Sequence, residues 1–255
     1  MQGKFVWHDL MSTDVEGSRR FYGELFGWQT KKEEKGPYTL ILLNGKDIGG
    51  ILAHQMPGAP SHWLGYVGVS DVDATLAKVK QLGGKIFKEK TNIPNVGDFA
   101  VIADGQGGVV APFRSTNPAH TETNERPAAY SFCWDELMTA DTAQAAKFYS
   151  TLFGWQTQTM DMPNFGQYTL FTRPGTKDDK GMVKNAGGMM PLPPGVPRTF
   201  WMTYVAVENC DRTLEKAKRL GAQIPMPAIE VETVGRFATI IDPQGAATAI
   251  LQPQM

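Results

Sequence analysis

The sequence predicts an α+β protein in which one domain, built from two βαβββ modules, occurs twice in tandem. An internal repeat supports this prediction, because Phe5–Met11 returns as Phe132–Met138 with tryptophan, an acidic residue and methionine at the same spacing. Two amphipathic helical patterns recur in each copy, and each is followed by glycine. Segments rich in strand-forming residues and bounded by turn residues surround these helices.

The repeat extends over most of the chain and indicates the domain boundaries. Further matching segments are Leu25–Gln29 with Leu152–Gln156, Tyr38–Leu40 with Tyr168–Leu170, Val96–Ala100 with Val234–Ala238, and Asp104–Gly107 with Asp242–Gly245. Residues 115–127 are polar, lack apolar periodicity and contain two prolines, which is typical of a linker. We therefore expect domain 1 at 1–114, the linker at 115–127 and domain 2 at 128–255.

The helix boundaries follow from capping residues and apolar stripes. The first helix of each copy is predicted to begin after Asp14 or Asp141 and to end at Gly27 or Gly154. The second helix has an apolar stripe followed by glycine, and both copies show it: Val72, Leu76, Val79, Leu82 and Gly83, then Cys210, Leu214, Ala217, Leu220 and Gly221. The agreement between the copies supports both assignments.

The strands are predicted from β-rich segments that end in turn residues. Tyr38–Leu43 stops at Asn44-Gly45, a strong hairpin pattern, and the next strand follows from Lys46. Phe99–Ile102 turns through Asp104–Gly107 into a last strand at Val109–Phe113. The paired glycines Gly49-Gly50 and Gly187-Gly188 indicate a β-bulge or the close approach of a ligand to the backbone.

Composition excludes several classes of protein. The chain has 255 residues, of which 42% are hydrophobic and 20% charged, so it is long enough for two domains with proper cores. A formal net charge of -1 provides no electrostatic attraction to nucleic acid or an anionic membrane. The cysteines Cys133 and Cys210 are too few for a disulfide framework, and we expect both to pack as small hydrophobic residues.

No cofactor and no membrane association are expected from the sequence. It contains no apolar run long enough to span a bilayer, and its first residues enter a strand-like pattern rather than a signal peptide, so a cytoplasmic location is expected. No GxGxxG, GxxxxGK or GxSxG motif occurs, which disfavours nucleotide cofactors and serine hydrolase chemistry. The oligomeric state is left open.

The module order and its motifs resemble the vicinal oxygen chelate superfamily, which includes glyoxalase I, bleomycin-resistance proteins and extradiol dioxygenases. The resemblance rests on Asp14, Phe21-Tyr22 and Leu25–Trp28 near the start of the repeat and on Asp104–Gly107 near its end, and both copies show it. The chain is most similar to a two-domain, glyoxalase-like subgroup. The resemblance implies that paired modules form a half-open barrel with a concave ligand-binding face.

In metal-using members, the resemblance implies a His or Gln on each module's first strand and a Glu near its last strand. Counting from the repeat motifs, residues that cannot bind a metal occupy these positions: Trp7 and Trp134, Leu64 and Met202, and Ala111 and Ala249. We therefore expect no metal at the homologous positions of either copy.

The histidines do not restore a metal site. A register shift would make His8 a ligand, but its counterpart is Asp135, and strand alternation places both on the opposite face. His62 precedes the Leu64 position by two residues, while His54 and His120 lie in connections. Residues 128–255 contain no histidine.

Strand alternation predicts what the concave faces contain instead. The ligand-binding candidates are Trp7, Met11 and Leu64 in the first copy, and Trp134, Met138 and Met202 in the second. The catalytic candidates are the acids Asp9 and Glu136 and the phenols Tyr66 and Tyr204. This lining suits a flat, mostly apolar ligand with one or two polar groups. Trp28, Trp63, Trp155 and Trp201 are expected to be packing residues.

Several functions remain open from the sequence. A carboxyl group in an apolar cleft can exchange protons near neutrality, so Asp9 or Glu136 could act as a base, with Tyr66 or Tyr204 donating to a substrate oxygen. The alternative is that each acid accepts a tyrosine hydroxyl in a structural core. The chain is thus a metal-free small-molecule binder, an enzyme of the lyase, isomerase or oxidoreductase type, or a structural or interaction protein. A metal-dependent lyase or dioxygenase is the further alternative.

Overall fold

A computed structural model describes residues 2–33, 36–54, 58, 60–116, 127–162 and 165–254. Most of the predicted linker, residues 117–126, lies outside the described part of the chain. The domain boundaries at 114 and 128 therefore stay predictions. Among the described residues, no helix is both long and apolar enough to cross a bilayer.

The first copy alternates strands and helices as the sequence predicts. Its elements are β1 (Phe5–Ser12), α1 (Val15–Phe26), β2 (Gln29–Lys32), β3 (Thr39–Leu43), β4 (Lys46–Ala53), β5 (His62–Gly68), α2 (Val72–Gln81), β6 (Lys85–Ile93), β7 (Gly97–Ala103) and β8 (Val109–Ser115).

The second copy repeats this order. Its elements are β9 (Phe132–Thr139), α3 (Thr142–Phe153), β10 (Gln156–Met162), β11 (Gly166–Lys177), β12 (Val183–Pro191), β13 (Phe200–Ala206), α4 (Cys210–Arg219), β14 (Gln223–Val231), β15 (Gly235–Ile241) and β16 (Ala247–Pro253). The βαβββ pattern thus occurs four times in the described chain.

The strands form two eight-stranded sheets with the same topology. Their orders are β2-β3-β4-β1-β5-β8-β7-β6 and β10-β11-β12-β9-β13-β16-β15-β14. In each module the first strand pairs in parallel with the fourth, as in the registers Asp9↔Gly50 and Tyr66↔Ala111, and the hairpins between them are antiparallel. The predicted α+β class is confirmed.

Capping explains where the first helices begin and end. Asp14 has an extended backbone and its carboxylate accepts from Gly17 N, so it is the N-cap of α1. Gly27 closes the helix in the left-handed conformation with φ 74°. Asp141 and Gly154 do the same for α3. Asn44 and Gly45 both have positive φ, which is the backbone of the predicted hairpin turn.

The described chain divides into two compact units, and each unit contains elements from both copies. The first unit comprises Met1–Val6, Gly65–Glu125 and Asp135–Trp201, and the second comprises Trp7–Leu64, Arg126–Trp134 and Met202–Met255. The core of the first unit includes Leu76 of α2 and Phe148 of α3. The core of the second includes Phe21 of α1 and Leu214 of α4.

The cores show which face of each strand is turned toward the helices. Leu10, Ile41 and Ile51, from β1, β3 and β4, are almost fully buried in one cluster with α1 residues. Since neighbouring residues of a strand alternate, Asp9 and Gly50 lie on the other face. We call this the helix-free face. Glu136, Tyr66 and Tyr204 alternate in the same way with the core residues Leu137, Val67 and Val205.

Candidate binding site

Three side chains of the second unit form a closed hydrogen-bonded cluster on the helix-free face. Trp7 Nε1 lies 2.9 Å from Asp9 Oδ1 and 2.9 Å from the hydroxyl oxygen of Tyr38. The Tyr38 hydroxyl donates to Asp9 Oδ1 at 2.7 Å. Asp9 is only 4% exposed. The cluster therefore supplies two donors to a carboxylate that is almost completely removed from solvent.

Strand pairing explains why these three residues meet. Asp9 and Leu40 are both partners of Gly50, so all three share one face. Tyr38 precedes Leu40 by two residues and points to the same face. A Cβ at Gly50 would overlap with the Tyr38 hydroxyl and lie 2.7 Å from Asp9 Oδ1. The absence of a side chain at Gly50 thus makes room for the phenol.

The electrostatics of the cluster keep the Tyr38 phenol protonated. Burial raises the pKa of Tyr38 well above its ordinary value, and the negative charge of Asp9 raises it further. A phenol in this state remains a hydrogen-bond donor across the physiological pH range. The arrangement is suited to holding a hydroxyl group between a carboxylate and an indole N–H.

The second copy repeats the tyrosine and glycine. Glu136 and Leu170 are both partners of Gly188, and a Cβ at Gly188 would overlap with the Tyr168 hydroxyl. Tyr168 therefore lies over the strand next to Glu136, as Tyr38 lies over the strand next to Asp9. Glu136 is 5% exposed. Both predicted acids are thus buried, and each is paired with a glycine over which a tyrosine hydroxyl lies.

Tyr66 and Tyr204 lie next to the positions expected for metal-binding glutamates. Tyr66 is in register with Ala111, and Tyr204 with Ala249. The Tyr66 ring centroid is 5.8 Å from that of Phe99 and 6.3 Å from that of Phe113, and Tyr204 is 6.2 Å from Phe237. Each tyrosine is therefore part of an aromatic patch. The predicted pairs Asp9 with Tyr66 and Glu136 with Tyr204 stay predictions.

The other predicted ligand-binding residues are buried to different degrees. Leu64, Met138 and Met202 are buried, while Trp7, Met11 and Trp134 are half-buried. Met11 is in register with Leu52 and Met138 with Met190, which continues the apolar lining along both strands. Their contact with a ligand stays a prediction.

The sequence reasoning missed Tyr38 and Tyr168 as members of the site. Both belong to a repeated Tyr-Thr-Leu segment, and both stand two residues before the leucine that pairs with the repeated glycine. The pattern was visible, but long-range strand register was needed to place these tyrosines beside the acids. At Gly50 and Gly188 the group that approaches the backbone closely is a tyrosine of the chain, where the sequence suggested a ligand or a β-bulge.

The residues at the expected metal positions do not fit a metal. No group of three or more His, Cys, Asp or Glu side chains that could hold an ion occurs within the described ranges. His8 shares the helix-side face with Leu10, and its ring centroid is 4.2 Å from that of Phe132. The ring centroids of His54 and His62 are 5.1 Å apart. Two imidazoles without a third ligand do not complete a facial site.

The remaining tryptophans are packing residues, as predicted. Trp28 and Trp63 belong to the core of the second unit, and Trp155 and Trp201 to that of the first. A surface cavity of about 330 Å³ lies elsewhere, at the start of α4. It is lined by Tyr130, Glu208, Asn209, Arg212 and Thr213. None of the predicted site residues lines it.

Fold and module order define a protein of the glyoxalase type. Residues 4–110 match the Glyoxalase/Bleomycin resistance protein/Dioxygenase superfamily model, and residues 132–171 match the N-terminal model of bleomycin resistance-like proteins. The chain belongs to the glyoxalase, bleomycin resistance protein and dioxygenase superfamily. This confirms the resemblance and the two tandem glyoxalase-like repeats.

Two relatives illustrate the similarity in sequence. CFP32 of Mycobacterium tuberculosis, a protein provisionally named a glyoxylase, is 32% identical over 261 residues, covering 99% of this chain and 95% of the relative. The anthracycline biosynthesis protein DnrV of Streptomyces peucetius is 30% identical over 128 residues. This match covers 46% of this chain and 45% of DnrV.

Two solved structures illustrate the similarity in fold. The Mn(II)-bound glyoxalase of Novosphingobium aromaticivorans has a TM-score of 0.65 at 15% identity, covering 98% of this chain and 82% of its own. The 2,2',3-trihydroxybiphenyl 1,2-dioxygenase of Sphingomonas wittichii RW1 has a TM-score of 0.65 at 13% identity, covering 98% and 90%. At this level of identity the likeness shows the fold alone.

Proposed function

We propose that this chain is a small-molecule-binding member of its superfamily that takes a flat, mostly apolar ligand on the helix-free faces. The proposal rests on the Trp7–Asp9–Tyr38 cluster, a buried carboxylate held by two donors on the face where metal-using relatives place their ligands. The corresponding metal positions carry indole, leucine and alanine side chains, which offer apolar contact and no coordination.

Each proposed site combines four types of side chain. Indole and thioether groups from Trp7 and Met11, or Trp134 and Met138, form apolar walls, and Leu64 or Met202 extends them. Asp9 or Glu136 accepts a hydrogen bond from the ligand. Tyr66 or Tyr204 donates one to a ligand oxygen. The DnrV relationship supports a polycyclic aromatic or polyketide-like ligand class.

Proton transfer is the second candidate function. A carboxylate that is 4% or 5% exposed, with a phenol beside it, has the components of a general base and an oxygen-binding donor. Asp9 already accepts two hydrogen bonds within the chain, which favours a structural role for it in the absence of ligand.

The first experiment is mass spectrometry of small molecules that co-purify with the native protein. A recovered aromatic ligand is then titrated into the wild type, Glu136→Gln and Tyr204→Phe, with Tyr130→Phe as a matched control outside the proposed site. Glu136→Gln should retain the shape and remove proton exchange. Tyr204→Phe should weaken binding by about 1 kcal/mol, the scale of one hydrogen bond.

The contrary outcome is equally specific. If both variants bind and turn over the ligand as the wild type does, while their melting temperatures fall, the acid and the phenol are structural. The proposed site is then wrong. A preparation that carries no small molecule and binds no aromatic compound overturns the binding function itself.

A further inference from the structure

We infer that the Trp7–Asp9 pair recognises an aromatic hydroxyl group, and that Tyr38 occupies this position as a built-in competitor. This inference rests on the proposed function and specifies its ligand class as a phenol or enol. It also assigns Tyr38 a regulatory role: the ligand must displace the Tyr38 phenol from the cluster before it binds. Three observations lead to it.

The hydrogen-bonding pattern selects a hydroxyl group. An indole N–H only donates and a carboxylate only accepts, so a group that bonds both Trp7 Nε1 and Asp9 Oδ1 has to accept one hydrogen bond and donate the other. The single indole N–H is then shared between that group and Asp9 Oδ1, as it is shared between Tyr38 and Asp9 here. Tyr38 does both, at 2.9 Å and 2.7 Å. An ammonium cannot accept, and a carbonyl or ether cannot donate. A ligand hydroxyl reproduces both bonds.

The surface beneath the hydroxyl selects a planar group. A Cβ at Gly50 would overlap with both the hydroxyl oxygen and the adjacent ring carbon of Tyr38, so the end of the ring lies directly on bare backbone. An sp³ centre that carries bulky substituents would meet the Gly50 backbone, whereas the planar end of an aromatic ring passes close to it, as that of Tyr38 does. Trp7 adds an indole beside the same position.

The location of Tyr38 makes displacement possible. Asp9 and Trp7 belong to β1, where Asp9 is held in register with Gly50, whereas Tyr38 lies one residue before β3 begins at Thr39. Tyr38 is half-buried, and its backbone carbonyl accepts from Glu33 N at 2.9 Å. Rotation of the side chain therefore vacates the position while the backbone stays paired. The apparent affinity for a ligand is lowered by the fraction of molecules in which Tyr38 occupies the position.

Two matched probes test the inference by calorimetric titration. 2-Naphthol carries the hydroxyl, and 2-methoxynaphthalene has the same ring system without the donor. The wild type should bind 2-naphthol about tenfold more tightly, the effect of one to two net hydrogen bonds. Tyr38→Ala should tighten both probes several-fold, because either ring has to displace the phenol, and the preference for 2-naphthol should remain. Trp7→Phe, which removes the N–H, should reduce the preference between the probes.

Tyr130→Ala is the control, since it removes a half-buried tyrosine of the same unit that lies outside the cluster. It should leave both affinities at the wild-type values. Equal binding of the two probes, or no gain from Tyr38→Ala, overturns hydroxyl recognition and leaves the binding function intact. If neither probe binds any variant, hydroxyl recognition is overturned, and the co-purification experiment decides the binding function separately.

Discussion

The Tyr149 hydroxyl donates to Asp104 Oδ2 at 2.9 Å, and so joins a helix of the second copy to a turn of the first. Trp201 Nε1 donates to the same phenol oxygen at 3.1 Å, and Asp104 Oδ1 accepts from the N–H groups of Gln106 and Gly108. In the second unit, Tyr22 and Asp242 occupy the corresponding positions. There, however, Asp242 Oδ2 makes no hydrogen bond of good geometry among the described atoms, and the Tyr22 hydroxyl interacts with this carboxyl group only weakly.

This asymmetry predicts unequal effects of the same substitution. Tyr149→Phe removes a donor from a carboxylate that is 1% exposed, so it should lower the free energy of unfolding by about 1–3 kcal/mol. Tyr22→Phe should cost less, because Tyr22 makes a long 3.4 Å bond to Thr248 and interacts only weakly with the Asp242 carboxyl group. Denaturant titration of both variants measures the difference, and a larger loss for Tyr22→Phe would contradict it.

The composition of the two units predicts that one copy does not fold alone. Each core combines a helix of the first copy with one of the second, as α1 with α4 and α2 with α3. A fragment of residues 1–114 would expose half of each core to water. We expect it to show no cooperative thermal transition, and expect co-expression with residues 128–255 to restore one. A native-like melt of the isolated fragment would contradict this.

Repetition made the fold predictable and left part of the site unpredicted. The capping residues Asp14 and Gly27 and the helix stripes are local patterns that appear in both copies, so chance matches are excluded. The Asn44-Gly45 turn is a local pattern of the first copy, where its positive φ angles form the hairpin. The position of Tyr38 depends on the register of β3 against β4, which no local pattern specifies. The sequence also did not predict that each core combines helices of both copies, since four similar modules can pair in more than one way.

The raised pKa of Asp242 should contribute to the pH dependence of stability. Burial raises its pKa, so the folded state holds the proton more tightly than the unfolded chain does. Stability from this group is therefore greatest at low pH and falls as pH rises through the raised pKa. Asp242→Asn keeps an acceptor for Gln244 N and Ala246 N and removes the charge. It should melt higher than the wild type at neutral pH, with the advantage shrinking toward pH 4.

Asp104→Asn is the matched control for that substitution. Its new amide would face the Tyr149 hydroxyl, which now donates to Asp104 Oδ2, so this variant should melt lower than the wild type at neutral pH. Melting temperatures measured across the acidic to neutral range separate the two. Parallel curves for wild type and Asp242→Asn would show that Asp242 does not govern the pH dependence.

The metal content of the purified protein tests the prediction that the residues at the expected metal-ligand positions cannot bind a metal. Trp7, Leu64 and Ala111, with their counterparts Trp134, Met202 and Ala249, provide no imidazole or carboxylate ligand. We expect elemental analysis to find no stoichiometric zinc, nickel, manganese or iron. About one tightly held ion per copy, retained through dialysis against a chelator, would contradict the prediction.

Gly50→Ala tests whether the Tyr38 phenol depends on the bare backbone beneath it. The new methyl group would overlap with the phenol and lie 2.7 Å from Asp9 Oδ1, so Tyr38 must leave the cluster. The expected loss of stability is about 1–3 kcal/mol, the scale of overpacking in a tight site. Gly105→Ala is the control, since its nearest contact, Gln144 Oε1, is 3.7 Å away.

A double-mutant cycle with Tyr38→Ala separates the phenol from other effects of the methyl group. If the clash with Tyr38 causes the loss, Gly50→Ala should cost much less in a chain that already carries Tyr38→Ala, with a coupling of about 1 kcal/mol or more. Additive costs would mean that the methyl group acts through Asp9 or the strand backbone instead. The same double variant should bind 2-naphthol no better than the wild type, because the methyl group occupies the position that the hydroxyl needs.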